Sequence, residues 1–269
     1  LLVFADFDWL DKPELVGELC YEKLRGSDSY AFQYDEHWLK GHAEVKLSED
    51  INNYPGMQYT QPGQDVFGCF SDALPDRWGR TMLKRREQIL ASEEKRAVRS
   101  LSSFDYLMGI DDFSRMGGFR FKKELEGEFI NVSASLKIPP LTELKDLLHA
   151  SREKWIAQVI QPGSSLGGAR PKASVLDEKG NLCIAKFPSR KDDYDAGLWE
   201  HFSHLLAQKA GIEVAQTKVL GGLGKYHTFL SRRFDRKDEA KRVHFASSMS
   251  LLGLKDGDNA QGGYGYLDI

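Results

Sequence analysis

Gly163-Ser164-Ser165-Leu166-Gly167-Gly168-Ala169-Arg170-Pro171-Lys172 is a small, glycine-rich stretch that runs into a strand-like segment, and Leu182-Cys183-Ile184-Ala185-Lys186-Phe187-Pro188 follows it. Between them, Asp177-Glu178-Lys179-Gly180-Asn181 reads as a turn. The second run alternates: Leu182, Ile184 and Lys186 share one face, and Cys183, Ala185 and Phe187 share the other. Lys186 therefore shares a face with two aliphatic residues, where an unpaired ammonium is costly. Either its end snorkels to water or it meets an anion, and a nucleotide phosphate or a carboxylate would serve. Glycines let backbone N–H groups approach phosphate oxygens closely, and a strand lysine can pair with the same phosphates. Motifs this short match freely, so the reading depends on their surroundings.

Downstream, the spacing predicts a helix over 194–210, with Leu198, Phe202, Leu205 and Leu206 on one apolar face and Gly211 at its end. Glu200 is the nearest helical carboxylate to Lys186, but it lies nearly opposite that apolar face, so pairing requires it to face a cleft and not the core. His201 and His204 beside it do not make a H-E-x-x-H pattern, and no metal ligand set is assigned. Strands are predicted over 214–220 and 226–234, with a turn at Gly221-Gly222-Leu223-Gly224. The run 221–225 is no Walker A loop, because Val219 and Tyr226 stand where glycine and Ser/Thr are needed.

Upstream, the first 70 residues read mostly as β, with runs at 2–7, 16–21 and 30–34 separated by turn signals. Leu74-Pro75-Asp76-Arg77-Trp78-Gly79-Arg80 leads into a charged helix over 81–90, and Ser92-Glu93-Glu94-Lys95 is expected to cap a further helix. The cations Lys84, Arg85, Arg86, Lys95, Arg96 and Arg99 are interleaved with Glu87, Glu93 and Glu94, which fits a solvated helix face better than a nucleic-acid surface. A short helix is expected over 103–110, a turn and strand over 117–121, a linker over 131–140, and a helix capped by Thr142 with Leu144, Leu147 and Leu148 on one side.

The chain of 269 residues is long enough for two units, and a net charge of −3 argues against nonspecific nucleic-acid binding. The run of apolar residues needed to span a membrane is missing. Cys20, Cys69 and Cys183 are odd in number and far apart, suggesting neither a zinc site nor a disulfide framework, and a cytoplasmic setting is the expectation. The chain opens without methionine and closes without a tail, so both ends read as cut.

Taken together, these pieces resemble the HipA family, the serine/threonine kinase toxins of bacterial toxin–antitoxin pairs. Val16-Gly17-Glu18-Leu19, Tyr30-Ala31-Phe32-Gln33-Tyr34, the 74–80 stretch and Phe104-Asp105-Tyr106-Leu107-Met108-Gly109 are similar to that family's N-terminal subdomain. The 165–172 stretch resembles its phosphate loop, and Ala185-Lys186-Phe187-Pro188, Trp199-Glu200 and Arg232-Arg233-Phe234-Asp235-Arg236 follow in the family order.

The resemblance implies an α+β fold: a β-rich N-terminal subdomain over 1–125, a protein-kinase-like nucleotide lobe over 126–236, and a truncated helical lobe beginning at 237–269. It implies ATP with Mg²⁺ as cofactors, and an ATP site comprising Ser165, Gly167, Gly168, Ala169, Lys172, Lys186, Glu200, Arg232 and Phe234. Within it, Ser165 would be autophosphorylated, which would place negative charge where the triphosphate must bind. Gly167, Gly168 and Ala169 would cover the phosphates, Lys186 would hold them with Glu200 as its helical partner, and 232–234 would be the adenine hinge. Arg232 stands where the family often has glutamate, which puts one adenine contact in doubt. No catalytic base is nominated: Asp238, Asp256, Asp258 and Asp268 follow no kinase pattern, and the catalytic aspartates are expected beyond Ile269. The implied substrate is a serine or threonine of a protein, a translation component, and the implied partner is a helix-turn-helix antitoxin through which any DNA contact would run. Two other classes stay open: a non-catalytic kinase-fold interaction module, and a small-molecule or lipid kinase.

Overall fold

The computed structural model describes residues 1–24, 27–61, 64–131, 170–189, 192–221, 225–237, 241–254, 258, 263 and 265–268. Among these, the fold is α+β, with two antiparallel sheets and six α-helices. The expected linker after Asn131 and the helix capped by Thr142 lie outside the described residues.

The first sheet contains β1 (Leu2–Ala5), β2 (Glu14–Leu24), β3 (Ser27–Tyr34), β4 (Gln58–Tyr59) and β5 (Phe119–Lys122), in the order β4-β3-β2-β1-β5. The first strand lies between the second and the fifth, with Val3 opposite both Gly17 and Phe121. One face of this sheet is aromatic. Phe32, Phe70, Phe119 and Phe121 are almost fully buried, and Phe70 meets Phe32 and Phe119 edge-on at 5.4 Å each. Packing of this kind adds roughly 0.5–1.5 kcal/mol per ring pair beyond the area buried.

Four helices close over that core. The helix α1 (Glu36–Gly41) is capped by Asp35 and buries Trp38, although its single buried residue leaves no apolar period to read in the sequence. The helix α2 (Gly68–Ser71) supplies Phe70. The helix α3 (Arg77–Glu93) starts at an Asp76 cap and buries Met82, Leu83 and Ala91. The helix α4 (Ser103–Gly109) starts with a Ser102–Asp105 capping box.

The 92–95 expectation is corrected here. Ser92 and Glu93 end α3 and start nothing, because Lys95 turns the chain at φ 52°. The turn brings Arg96 Nη2 to Glu87 Oε2 at 3.1 Å, and the Arg99 backbone N–H donates to Glu87 Oε1 at 2.9 Å. Glu87 is therefore a buried counterion for two of the cations read as solvated: Arg96 is drawn in against it, while Arg99 reaches it with a side chain that stays exposed.

The second sheet contains β6 (Lys172–Leu176), β7 (Leu182–Lys186), β8 (Thr217–Leu220) and β9 (Thr228–Arg232), in the order β6-β7-β9-β8. Its hairpin turn is the predicted one: Asp177 Oδ1 accepts from the backbone of Lys179 and Asn181, and Gly180 takes a φ of +81°. Ala173, Val175, Cys183, Ala185, Phe187 and Leu230 form the core on one face. The alternation read from 182–187 is thus the real one, with Cys183, Ala185 and Phe187 inside.

The opposite face is covered by α5 (Ala196–Lys209). Gly197 makes this approach possible, since a Cβ there would lie 2.3 Å from the His227 carbonyl oxygen. The helix turns its Gly197–Glu200–His201–His204 side to the sheet, through Lys186–Glu200 and His201 Nδ1–Thr217 Oγ1 at 2.7 Å. Consequently the apolar stripe of Leu198, Phe202, Leu205 and Leu206, expected to mark the packed side, stays exposed among the described residues.

The two units meet through a buried charge network. Asp235, fully buried, accepts from Arg233 Nε at 2.7 Å and Nη2 at 2.6 Å, from Arg236 Nη1 at 2.8 Å, and from the Gly117 backbone N–H at 2.8 Å. Arg233 Nη1 donates to Ser114 O at 2.6 Å, and Arg236 Nη2 to Arg115 O at 2.7 Å. Burial alone pushes the Asp235 carboxyl up, but Arg233 and Arg236 hold it below the usual carboxylate value. Farther on, Arg242 donates to Asp112 O at 2.7 Å, His244 stacks on Phe7 at 4.6 Å, and the short helix α6 (Ser248–Leu251) follows. The chain after β9 therefore runs back across the first unit. No helix among the described residues is long and apolar enough to cross a membrane.

Candidate functional site

Lys186 ends β7 on the face that α5 covers, and its ammonium donates to Glu200 Oε1. The side chains of Lys186 and Glu200 are 28% and 31% exposed, so the pair is fixed without being sealed from a ligand. An ammonium has three N–H donors, and one carboxylate contact leaves room for others. The Lys186 ammonium also lies 5.4 Å from the centroid of the Phe229 ring, directly across the strand pair.

Glu200 reaches the lysine because the start of α5 is held firmly. Asp195 caps the helix by accepting from the Leu198 backbone N–H at 3.0 Å, and it also meets His227 Nδ1 at 2.5 Å, just before β9. His204 Nδ1 lies 2.9 Å from the Glu200 carbonyl oxygen, and its ring packs on Phe229 at 5.3 Å. Both helix histidines are thus engaged in hydrogen bonds. Among the described residues, no three His, Cys, Asp or Glu side chains converge as a metal site.

Opposite Lys186 in register, at the start of β6, stands Lys172. Its side chain is 1% exposed, and its ammonium donates to Asp76 Oδ2 at 2.9 Å. Burial lowers the pKa of Lys172 and raises that of Asp76. Trp78 Nε1 donates to the Lys172 carbonyl oxygen at 3.0 Å. Just before the strand, Arg170 makes a two-pronged contact with Asp192, both arms at 2.8 Å.

The structure thus brings Lys172, Lys186 and Glu200 together. It places Arg232 and Phe234 elsewhere: Arg232 lies opposite Cys183, three positions along β9 from Phe229, or about 10 Å at the rise of a strand. Phe234 is 60% exposed and meets Phe245 edge-on at 5.0 Å. Ser165, Gly167, Gly168 and Ala169 lie outside the described residues. Asp76 and Trp78 are the site neighbours that sequence reasoning passed over. The 74–80 stretch reads as the entry to a helix, and the signal in it was an aspartate cap beside a tryptophan whose N–H needs a partner.

The α+β chain carries two antiparallel sheets and a strand lysine paired to a glutamate on the following helix. Two family models match it: the HipA N-terminal domain over residues 9–104 and the HipA-like C-terminal domain over residues 164–269. The chain belongs to the HipA family, known as serine/threonine kinase toxins that generally pair with a HipB antitoxin. No curated protein sequence matches it.

Proposed function

We propose that the protein is a HipA-type toxin kinase that transfers the γ-phosphate of ATP to a serine or threonine of a protein, a component of translation, in the cytoplasm. The observation that carries the reading is the Lys186–Glu200 pair, a half-buried ammonium held by a helix across an antiparallel sheet. In kinases that pair must be in place before phosphoryl transfer proceeds.

Bound ATP would supply the transferable phosphoryl group, with Mg²⁺ neutralising the phosphates. Lys186 would donate its remaining N–H groups to phosphate oxygens, and Glu200 would keep the ammonium charged and aimed. Gly167, Gly168 and Ala169 would cover the phosphates from the stretch preceding β6, and Ser165 would be the autophosphorylation site. Arg232 and Phe234 would border the adenine. No residue among those described is assigned to Mg²⁺ or to proton removal. The proposed units are a HipA-type subdomain over 1–125, a nucleotide lobe over 126–236 and the start of a helical lobe from 237. A helix-turn-helix antitoxin is the proposed partner.

Intact mass before and after incubation with ATP and Mg²⁺ tests this, using this chain and the longest natural form of the protein. Gain of one phosphate on Ser165, seen only in the longest natural form, is the expected result. No gain in either form, with no thermal shift on adding ATP, would end the kinase reading. A second reading, a non-catalytic interaction module, draws on the exposed apolar stripe of α5.

A further inference from the structure

We propose that Asp76 and Trp78, both in the first unit, are positioning residues for the nucleotide site in the second, acting through Lys172. The inference rests on the reading of Lys186 and Glu200 as a phosphate-holding pair.

Asp76 does two things at once. Its Oδ1 accepts from the Gly79 backbone N–H at 2.7 Å, capping α3, while its Oδ2 takes the Lys172 ammonium at 2.9 Å. Two residues on, Trp78 Nε1 donates to the Lys172 carbonyl oxygen at 3.0 Å. Both ends of Lys172, side chain and main chain, are therefore gripped by the first turn of one helix. Lys172 begins β6, which among the described residues is an edge strand of the second sheet, and stands directly opposite Lys186. An edge strand has a sheet neighbour on one side only, so a grip from outside fixes where it lies. With its ammonium buried against Asp76, Lys172 offers the site two things: the position of β6 and a positive charge beside Lys186.

Stability alone does not account for this contact. A buried ion pair costs desolvation that a pair of apolar side chains would avoid. The two units are, besides, already joined on the other side by Asp235, Arg233 and Arg236. What distinguishes the Asp76–Lys172 pair is its place, one strand away from Lys186 and Glu200. The charges facing Lys172 are Asp76 from α3, Lys186 from β7 and Glu200 from α5.

Calorimetric titration of the full chain with ATP and with adenosine tests the proposal, with melting temperature as the fold check. Asp76→Asn removes the charge and keeps the helix cap, since asparagine caps as well as aspartate. Trp78→Phe keeps the ring and removes the N–H. Asp76→Asn is expected to weaken ATP about tenfold, the worth of one charge-assisted contact, and Trp78→Phe about fivefold, the worth of one neutral hydrogen bond, each leaving adenosine within about twofold. Unchanged ATP affinity in both variants, or ATP and adenosine weakened in proportion, would overturn the proposal. Should Asp76→Asn unfold, Trp78→Phe decides alone by the same two outcomes. Wild-type protein that binds neither compound removes the nucleotide reading itself, and this proposal with it; a loss seen only in the variants cannot be confused with that.

Discussion

Replacing Asp235 with alanine should cost more stability than almost any other single change in this chain. The carboxylate is fully buried and accepts four hydrogen bonds, three from Arg233 and Arg236 and one from the Gly117 backbone. Alanine would leave two nearly inaccessible guanidinium groups without their shared counterion, their side chains being 0% and 5% exposed. Breaking a buried pair from one side costs about 3–5 kcal/mol, because the remaining charge is stranded in a poor solvent. For a chain of this size each kcal/mol lowers the midpoint by roughly 2–4 °C, which predicts a fall of about 6–20 °C. Scanning calorimetry at pH 7 measures it. Lys237→Ala is the internal control: its ammonium pairs with Asp8 across the same joint, but the lysine is 62% exposed, and an exposed pair is worth about 0–1 kcal/mol. If Asp235→Ala shifts the midpoint no more than Lys237→Ala does, the buried network does not hold the units together and the reasoning fails.

Gly197→Ala should push α5 away from β9, because the new methyl would meet the His227 carbonyl oxygen at 2.3 Å; a loss of about 1–3 kcal/mol in urea unfolding is expected, together with weaker ATP binding as Glu200 leaves Lys186. His244 gives a pH dependence. Burial pushes its imidazole down to about 4, against about 6.5 when unfolded, so the unfolded chain takes up the proton first and stability falls as pH drops from about 6.5 to about 4. His244→Phe, which keeps the stack on Phe7, should flatten that decline when urea midpoints at pH 7 and pH 5 are compared. A slope unchanged by the substitution would assign the decline to other groups.

The second sheet was largely legible in the sequence because its signals are local. The 177–181 turn and the alternation in β7 needed only side-chain chemistry and period, and both lie where expected. Strand lengths were less so: β8 begins at Thr217 and β9 spans Thr228–Arg232, each shorter than its apolar run. The orientation of α5 was not legible. Its apolar stripe argued for one packed side, whereas contacts to Lys186 and Thr217 and the small Gly197 select the other. The arginines of 233–242 were opaque for a similar reason. Charged residues read as surface; Asp235 stands among the arginines in sequence, but only tertiary structure brings Asp112 to Arg242 and buries the whole group. Lys186 was readable because an ammonium on an apolar face demands an anion. That Lys172 finds its own in Asp76, 96 positions away, could not be read from the chain.

Titration of ATP into wild-type protein and Lys186→Met, with Mg²⁺ present, tests the central claim most directly. The account predicts saturable binding to the wild type, weakened at least about tenfold in the variant while the melting temperature without ligand stays close to that of the wild type. Equal ATP binding by both proteins, or none by a folded wild type, would contradict it.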